Sequence, residues 1–164
     1  MPCSGRKWIT AGWSGKIGHG VFFGTFQHTI DGKGRVSLPA KFRETLASAG
    51  EPRIALVRFP HWKAIQALPH SVWNELKQRV LAASPLDARA QKNILKFVST
   101  AQEVDLDVHG RVLVPPELRA WAGLSKDVVW VGMGRTIHLF DRATYEEQMG
   151  AETPEADLVD FFKA

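Results

Sequence analysis

Two stretches of this chain follow one template. The first reads Ile30-Asp31-Gly32-Lys33-Gly34-Arg35-Val36-Ser37-Leu38-Pro39-Ala40-Lys41-Phe42-Arg43. The second reads Leu106-Asp107-Val108-His109-Gly110-Arg111-Val112-Leu113-Val114-Pro115-Pro116-Glu117-Leu118-Arg119. Both are apolar-Asp-x-x-Gly-Arg-Val-x-apolar-Pro-x-x-apolar-Arg, offset by 76 residues, and six of the nine template positions are identical. An internal duplication of this kind constrains the fold strongly, because the unit built around one copy is expected around the other. The likeness runs on: Ile54-Ala55-Leu56-Val57 answers Val128-Val129-Trp130-Val131, Ile65-Gln66-Ala67-Leu68-Pro69 answers Ile137-His138-Leu139-Phe140-Asp141, and Trp73 answers Tyr145.

The local chemistry gives each unit its elements. Phe26, His28 and Ile30 alternate with Gln27 and Thr29, and Val104, Leu106 and Val108 alternate with Asp105 and Asp107. That period of two predicts half-buried strands. Gly32 and Gly34 flank Lys33, and glycine supplies the positive φ of a tight turn. Val36-Ser37-Leu38 and Val112-Leu113-Val114 resume the strand. Pro39 and Pro115 lack the N–H a central ladder needs, yet suit a helix start. Gly50 and Gly123 are expected helix stops. Each unit therefore reads strand, tight turn, strand, short helix, two more strands and a helix.

Between the units the texture changes. Val72-Trp73, Leu76 and Val80-Leu81 recur at helical spacing, and Leu86, Ala90, Ile94 and Phe97-Val98 mark a second helix. Ser84 is the expected N-cap there, with Pro85 at N1. The organisation expected is a flexible extension over 1–20, one unit over 21–70, a helical hairpin over 71–99, a second unit over 100–149 and an acidic tail over 150–164.

Charge is unevenly spread. Residues 1–99 hold 15 basic and 5 acidic side chains, whereas residues 100–164 hold 6 and 12. The whole-chain figure of +4 hides this gradient. It suggests one face that meets an anion and an acidic end that does not. A single cysteine, Cys3, excludes an internal disulfide and a multi-cysteine zinc site. No apolar run approaches a membrane span, and the segment after Arg6 and Lys7 has no signal-peptide core. The chain reads as a cytosolic protein with no membrane partner, no cofactor and no metal site: its six histidines are scattered. Ser37 has no visible acid or histidine partner, and none of the Gly-x-Gly stretches has the fuller phosphate-loop pattern.

The Asp-x-x-x-Arg pairs are the central chemical feature. Across a tight turn, Asp31 can hold Arg35, and Asp107 can hold Arg111, by charge-assisted hydrogen bonds. One reading is an ion pair that only locks the turn and is worth little when exposed. The other is an arginine preorganised to grip phosphate, or guanine through O6 and N7. Lys33, Arg35, Lys41 and Arg43 crowd the first copy, which makes it the better anion contact. Lys41 and Arg43 read equally as a solvated helix face.

The two motifs, with the preceding Gly24-Thr25-Phe26 and the helical hairpin between the copies, closely resemble the MraZ family of the SpoVT-AbrB superfamily over roughly residues 21–150. The resemblance implies an α+β, mainly β fold of two tandem AbrB-like repeats forming a split β-barrel with helices outside. It implies a ring-shaped homo-oligomer that binds double-stranded DNA. It also implies regulation, mainly repression, of a division and cell-wall gene cluster through short G-rich direct repeats. The family's DNA-contacting arginine maps onto Arg35, with Arg111 as its counterpart. Lys33, Lys41 and Arg43 are then phosphate contacts, and Asp31 and Asp107 orient the arginines. Cytoplasmic, nucleoid-associated action without enzymatic chemistry follows. An AbrB-like antitoxin, with the acidic C-terminus docking a toxin, is the rival expectation. Family chains begin with a Met-Phe-x-Gly-like segment, here Val21-Phe22-Phe23-Gly24, so a native start at position 21 is expected.

Overall fold

The structure is a computed structural model, and it describes residues 20–151 and 154–163. The flexible extension expected over 1–20 lies, up to residue 19, outside the described residues.

Alternation of apolar and polar residues produces strands in the expected places. Strand β1 spans Phe22–Thr29, β2 Arg35–Ser37, β3 Arg53–Arg58 and β4 Ala64–Pro69, with helix α1 (Ala40–Ser48) between β2 and β3. Helix α2 covers His70–Ala82 and α3 Ala88–Asn93, continuing as a π-helical turn over Ile94–Val98. The second half gives β5 (Gln102–Asp105), β6 (Arg111–Leu113), α4 (Pro116–Ala122), β7 (Asp127–Gly134), β8 (Ile137–Asp141) and α5 (Arg142–Gly150). A last helix, α6, spans Glu155–Lys163. Pro39 and Pro115 sit at the N-caps of α1 and α4, where a missing N–H costs nothing. Gly123 ends α4 in the left-handed conformation (φ 61°), which a residue with a Cβ resists. The cap of α3 is Asp87 rather than Ser84: its carboxylate accepts from the Arg89 and Ala90 amides, while the Ser84 hydroxyl accepts only from Leu86.

The α+β class is what forms, but the barrel does not close. Six strands make one antiparallel sheet in the order β1-β7-β8-β4-β3-β5, and β2 pairs with β6 in a separate ribbon. β1, from before the first motif, pairs with β7, from after the second; β5 pairs with β3 in the same way. The central β4–β8 pair joins the two halves. Residues 21–70 and 100–149 therefore share one sheet.

Strand parity sets the layers. Ile54 and Leu56 on β3, Ile65 and Ala67 on β4, Val128 and Trp130 on β7, and Ile137 and Leu139 on β8 pack with Val36, Val112, Phe42 and Leu118 in the main core. Ala55, Val57 and Leu68 face the other way, onto Trp73 of α2. β3 is thus apolar on both faces, and its near-continuous hydrophobic run follows. The ribbon and the helices α1 and α4 lie over one face of the sheet. The buried Trp130 indole crosses that layer and donates to the Ser37 carbonyl at 2.9 Å.

Candidate nucleic-acid interface

The ribbon puts the two motifs side by side. Arg35 pairs with Leu113, Val36 with Val112 and Ser37 with Arg111. Cross-strand partners share a face and neighbours along a strand alternate. Val36 and Val112, 1% and 0% exposed, therefore point into the core. Arg35, Ser37, Arg111 and Leu113 share the outer face. The arginines are diagonal neighbours, ~7–8 Å apart by the spacing of antiparallel strands.

Each arginine is held by its own turn. The Asp31 Oδ1 accepts the Lys33 and Arg35 amides at 2.9 Å each, and its Oδ2 accepts the Arg35 Nε at 2.7 Å. The Asp107 carboxylate repeats this with the His109 and Arg111 amides at 2.9 Å and the Arg111 Nε at 2.8 Å. Each turn closes with the glycine amide donating to the aspartate carbonyl at 2.9 Å. The backbone N–H of Arg35, above all, holds the Asp31 carboxyl below the usual carboxylate range, with the Arg35 side chain and the Lys33 amide adding to it. The Arg111 amide does the same for Asp107, which falls to about 2. With Nε tied down, each guanidinium keeps its two terminal nitrogens, the edge that forks onto guanine or phosphate.

Only the last glycine of each turn needs the left-handed region, Gly34 at φ 84° and Gly110 at φ 72°. Gly32 does not, which is why valine can stand at the equivalent position 108. Each of these buried glycines is also bonded across the molecule: the Gly34 carbonyl accepts the Val114 amide at 2.8 Å, and the Gly110 carbonyl accepts the Leu38 amide at 3.0 Å. Their open faces are occupied. A Cβ on Gly34 would lie 2.7–3.0 Å from the Cζ, Nε and Nη1 atoms of Arg119, and one on Gly110 would strike the side chain of Arg43.

Of the expected site residues, Arg35, Arg111, Asp31 and Asp107 come together on the ribbon and its turns. Lys33 is exposed at the tip of the first turn, and Lys41 is exposed in the first turn of α1. Arg43 lies elsewhere, on the glycine of the opposite turn. Sequence reasoning passed over Arg119 as a local basic residue, and over Ser37 and Leu113 on the ribbon's outer face. The shared template position of Arg43 and Arg119 was the available signal for the first, and strand parity for the others. No helix among the described residues is long and apolar enough to cross a membrane.

The structure is thus an α+β module that carries two carboxylate-held arginines on the outer face of one two-stranded ribbon. The chain belongs to the MraZ family: the family model described as "MraZ protein, putative antitoxin-like" matches residues 21–58 and 97–161. It is 74% identical over 143 residues to a protein of Anaeromyxobacter dehalogenans strain 2CP-C named "Transcriptional regulator MraZ", covering 87% of this chain and 99% of that one. Proteins of the same name from Anaeromyxobacter sp. strain Fw109-5 and Delftia acidovorans are 70% and 40% identical, covering 87% and 77% of this chain and 98% and 86% of theirs.

Proposed function

We propose that this protein is a sequence-specific, DNA-binding transcriptional regulator, acting mainly as a repressor of a division and cell-wall gene cluster. The observation that carries the reading is the pair of aspartate-held arginines on one ribbon face. A two-stranded ribbon fits the major groove, where arginine reads guanine bidentately. The ~7–8 Å diagonal between Arg35 and Arg111 spans about two base-pair steps. That geometry suits short G-rich elements. Lys33 and Lys41 serve as phosphate contacts, whereas Arg43, packed on Gly110, is left to the turn it touches. Asp31 and Asp107 orient the arginines rather than touch DNA. The two motif copies are read as tandem AbrB-like repeats. Assembly into a homo-oligomeric ring would present the ribbon many times to repeated operator elements, so that weak contacts multiply. Action is on nucleoid DNA in the cytoplasm.

The test is binding of duplex DNA with G-rich direct repeats by the full chain, with Arg35→Ala as the variant. Loss of specific binding with an unchanged sedimentation coefficient supports the reading. A variant that shifts the operator normally overturns it. The antitoxin-like wording of the family description favours a second reading, in which the acidic C-terminal region docks a toxin. Co-purification with the product of a neighbouring toxin gene, and no preference for G-rich repeats, would replace the first reading by the second.

A further inference from the structure

We infer that Arg119 and Arg43 are positioning residues that act crosswise: each braces the DNA-reading turn of the opposite half. Arg119 of the second motif holds the turn that presents Arg35. Arg43 of the first holds the turn that presents Arg111. The inference rests on the DNA-binding reading above for its functional meaning, though not for its geometry.

The geometry begins with the last three template positions. The proline starts a helix, and the residue four along bonds back to it: the Arg43 amide donates to the Pro39 carbonyl and the Arg119 amide to the Pro115 carbonyl, each at 3.0 Å. The apolar residue just before each arginine is buried, Phe42 at 0% and Leu118 at 1% exposure. This fixes the first turn of each helix against the core. The next residue along is aimed past the core's edge at the other half's turn. There it meets glycine. Three atoms of the Arg119 head stand nearly equidistant from where a Cβ of Gly34 would be. The guanidinium therefore lies flat on the bare Cα of the glycine. Arg43 covers Gly110 in turn, through its Cδ, Nη1 and Cζ atoms. The glycine has two duties, the left-handed turn and the seat, and any Cβ would fail both.

Two further observations say the seat matters. The Arg119 Nε is buried and has no hydrogen-bond partner. A buried unpaired donor is costly, so the side chain is held there by packing rather than by a polar partner. The carbonyl of each braced glycine also accepts from the residue just past the other motif's ribbon strand, the Val114 amide donating to Gly34 and the Leu38 amide to Gly110. A turn that shifts therefore strains the ribbon that carries both reading arginines. The template arginine thus gains a reason that a solvated helix face does not supply.

The test uses the full chain and reads amide hydrogen exchange residue by residue, without DNA. Arg119→Ala is expected to speed exchange at Gly34, Arg35 and Val114 by on the order of tenfold, leaving Gly110, Arg111 and Leu38 within about twofold. Arg43→Ala is expected to give the reverse pattern. An uncrossed pattern, or equal acceleration of both turns, overturns the inference. Arg119→Lys, which keeps the charge and the stem but not the plane, serves if the alanine variant does not fold, and the same crossed pattern is required of it. The second measurement is the salt dependence of operator binding. Bracing predicts weaker binding with an unchanged slope of log K against log salt, whereas a lost phosphate contact lowers the slope by about one. A lowered slope for Arg43→Ala or Arg119→Ala overturns the positioning role. Crossed exchange with unchanged operator affinity upholds the brace and overturns the DNA-reading role of that turn.

Discussion

In the turn from Asp31 to Arg35 and the turn from Asp107 to Arg111, the carboxylate takes the same three bonds at 2.7–2.9 Å. The tips differ. The first carries Gly32 and an exposed Lys33; the second carries Val108, 96% exposed, and His109. Backbone geometry has been kept where the aspartate, glycine and arginine dictate it. Side-chain chemistry has drifted at the two positions that geometry leaves open. The lesson is that the scaffold presents two equal arginines, while their surroundings make them unequal. The first copy brings a cation to its tip, and the second brings an apolar side chain and an imidazole.

The largest expected effect is at the arginines themselves. A bidentate guanine contact is worth about 1–3 kcal/mol of discrimination. Arg35→Ala is expected to remove preference for G-rich repeats, roughly a hundredfold in the ratio of specific to non-specific affinity. Arg111→Ala is expected to cost roughly tenfold, because its tip adds no charge. Anisotropy titrations of operator and scrambled duplexes measure both. Equal losses would show that tip chemistry is irrelevant to reading.

A second inequality lies in the sheet. His138 on β8 stands opposite Gln66 on β4, so one half has a neutral amide where the other has a titratable ring. The ring is 2% exposed and packs edge-on to Phe59 at 4.5 Å. Its Nε2 contacts the Thr136 hydroxyl at 3.1 Å, and its Nδ1 is unpaired. Burial pushes its pKa from 6.5 down to about 4. Because the folded value lies below the unfolded one, stability is full above about pH 6.5 and is lost as pH falls toward 4. At about pH 4.5 the loss is roughly 2–3 kcal/mol. His138→Gln is expected to remove that slope in urea melts at pH 4.5 and 7. A slope that persists places the acid sensitivity elsewhere. The second turn titrates below most of this window: with the Asp107 carboxyl lowered from 3.8 to about 2, its stabilising tie to Arg111 is lost as pH falls from about the ordinary carboxylate value through 2.

Asp31→Asn ranks next. The amide retains an acceptor for the turn but loses the charge that holds the Arg35 Nε, so operator affinity is expected to fall about three- to tenfold with little change in the salt slope. Asp107→Asn is expected to cost less, in proportion to Arg111. If Asp31→Asn instead tightens binding to all DNA, the carboxylate acts by repelling phosphate.

Much of this was legible in the sequence, and what was hidden has a physical cause. Period-two alternation marked β1 and β5, proline marked the starts of α1 and α4, and the Asp-x-x-x-Arg spacing marked both turns. Periodicity gives a strand's faces but not its partner, so the pairing of β1 with β7 and β5 with β3 was invisible. For the same reason the charge gradient along the chain misleads. Arg53 pairs with Asp105, Lys77 with Glu103 and Arg135 with Glu75. The first two set a cation of the basic first part on a carboxylate of the acidic second, so part of the gradient cancels once the halves share a sheet, while the third runs the opposite way. Arg43 and Arg119 were visible as cations, but their seats on Gly110 and Gly34 needed the ribbon.

The smallest effect isolates the tips. Lys33 is exposed and bonds to Asp31 only through its backbone amide, so its side chain can change without disturbing the turn. Lys33→His makes the first tip resemble the second at that position, and His109→Lys does the converse. If Lys33 meets phosphate, Lys33→His is expected to weaken operator and scrambled DNA alike, by about two- to fivefold, and to lower the salt slope by about one. His109→Lys is expected to raise the slope by up to about one if the second turn also approaches the backbone. Both slopes come from one titration series across salt. A reciprocal change would mean that the two turns occupy equivalent places on DNA and differ only in charge. A change at Lys33 with none at His109 would mean that the second turn stands off the phosphate backbone, and that Arg111 reaches the groove, if at all, from the ribbon alone.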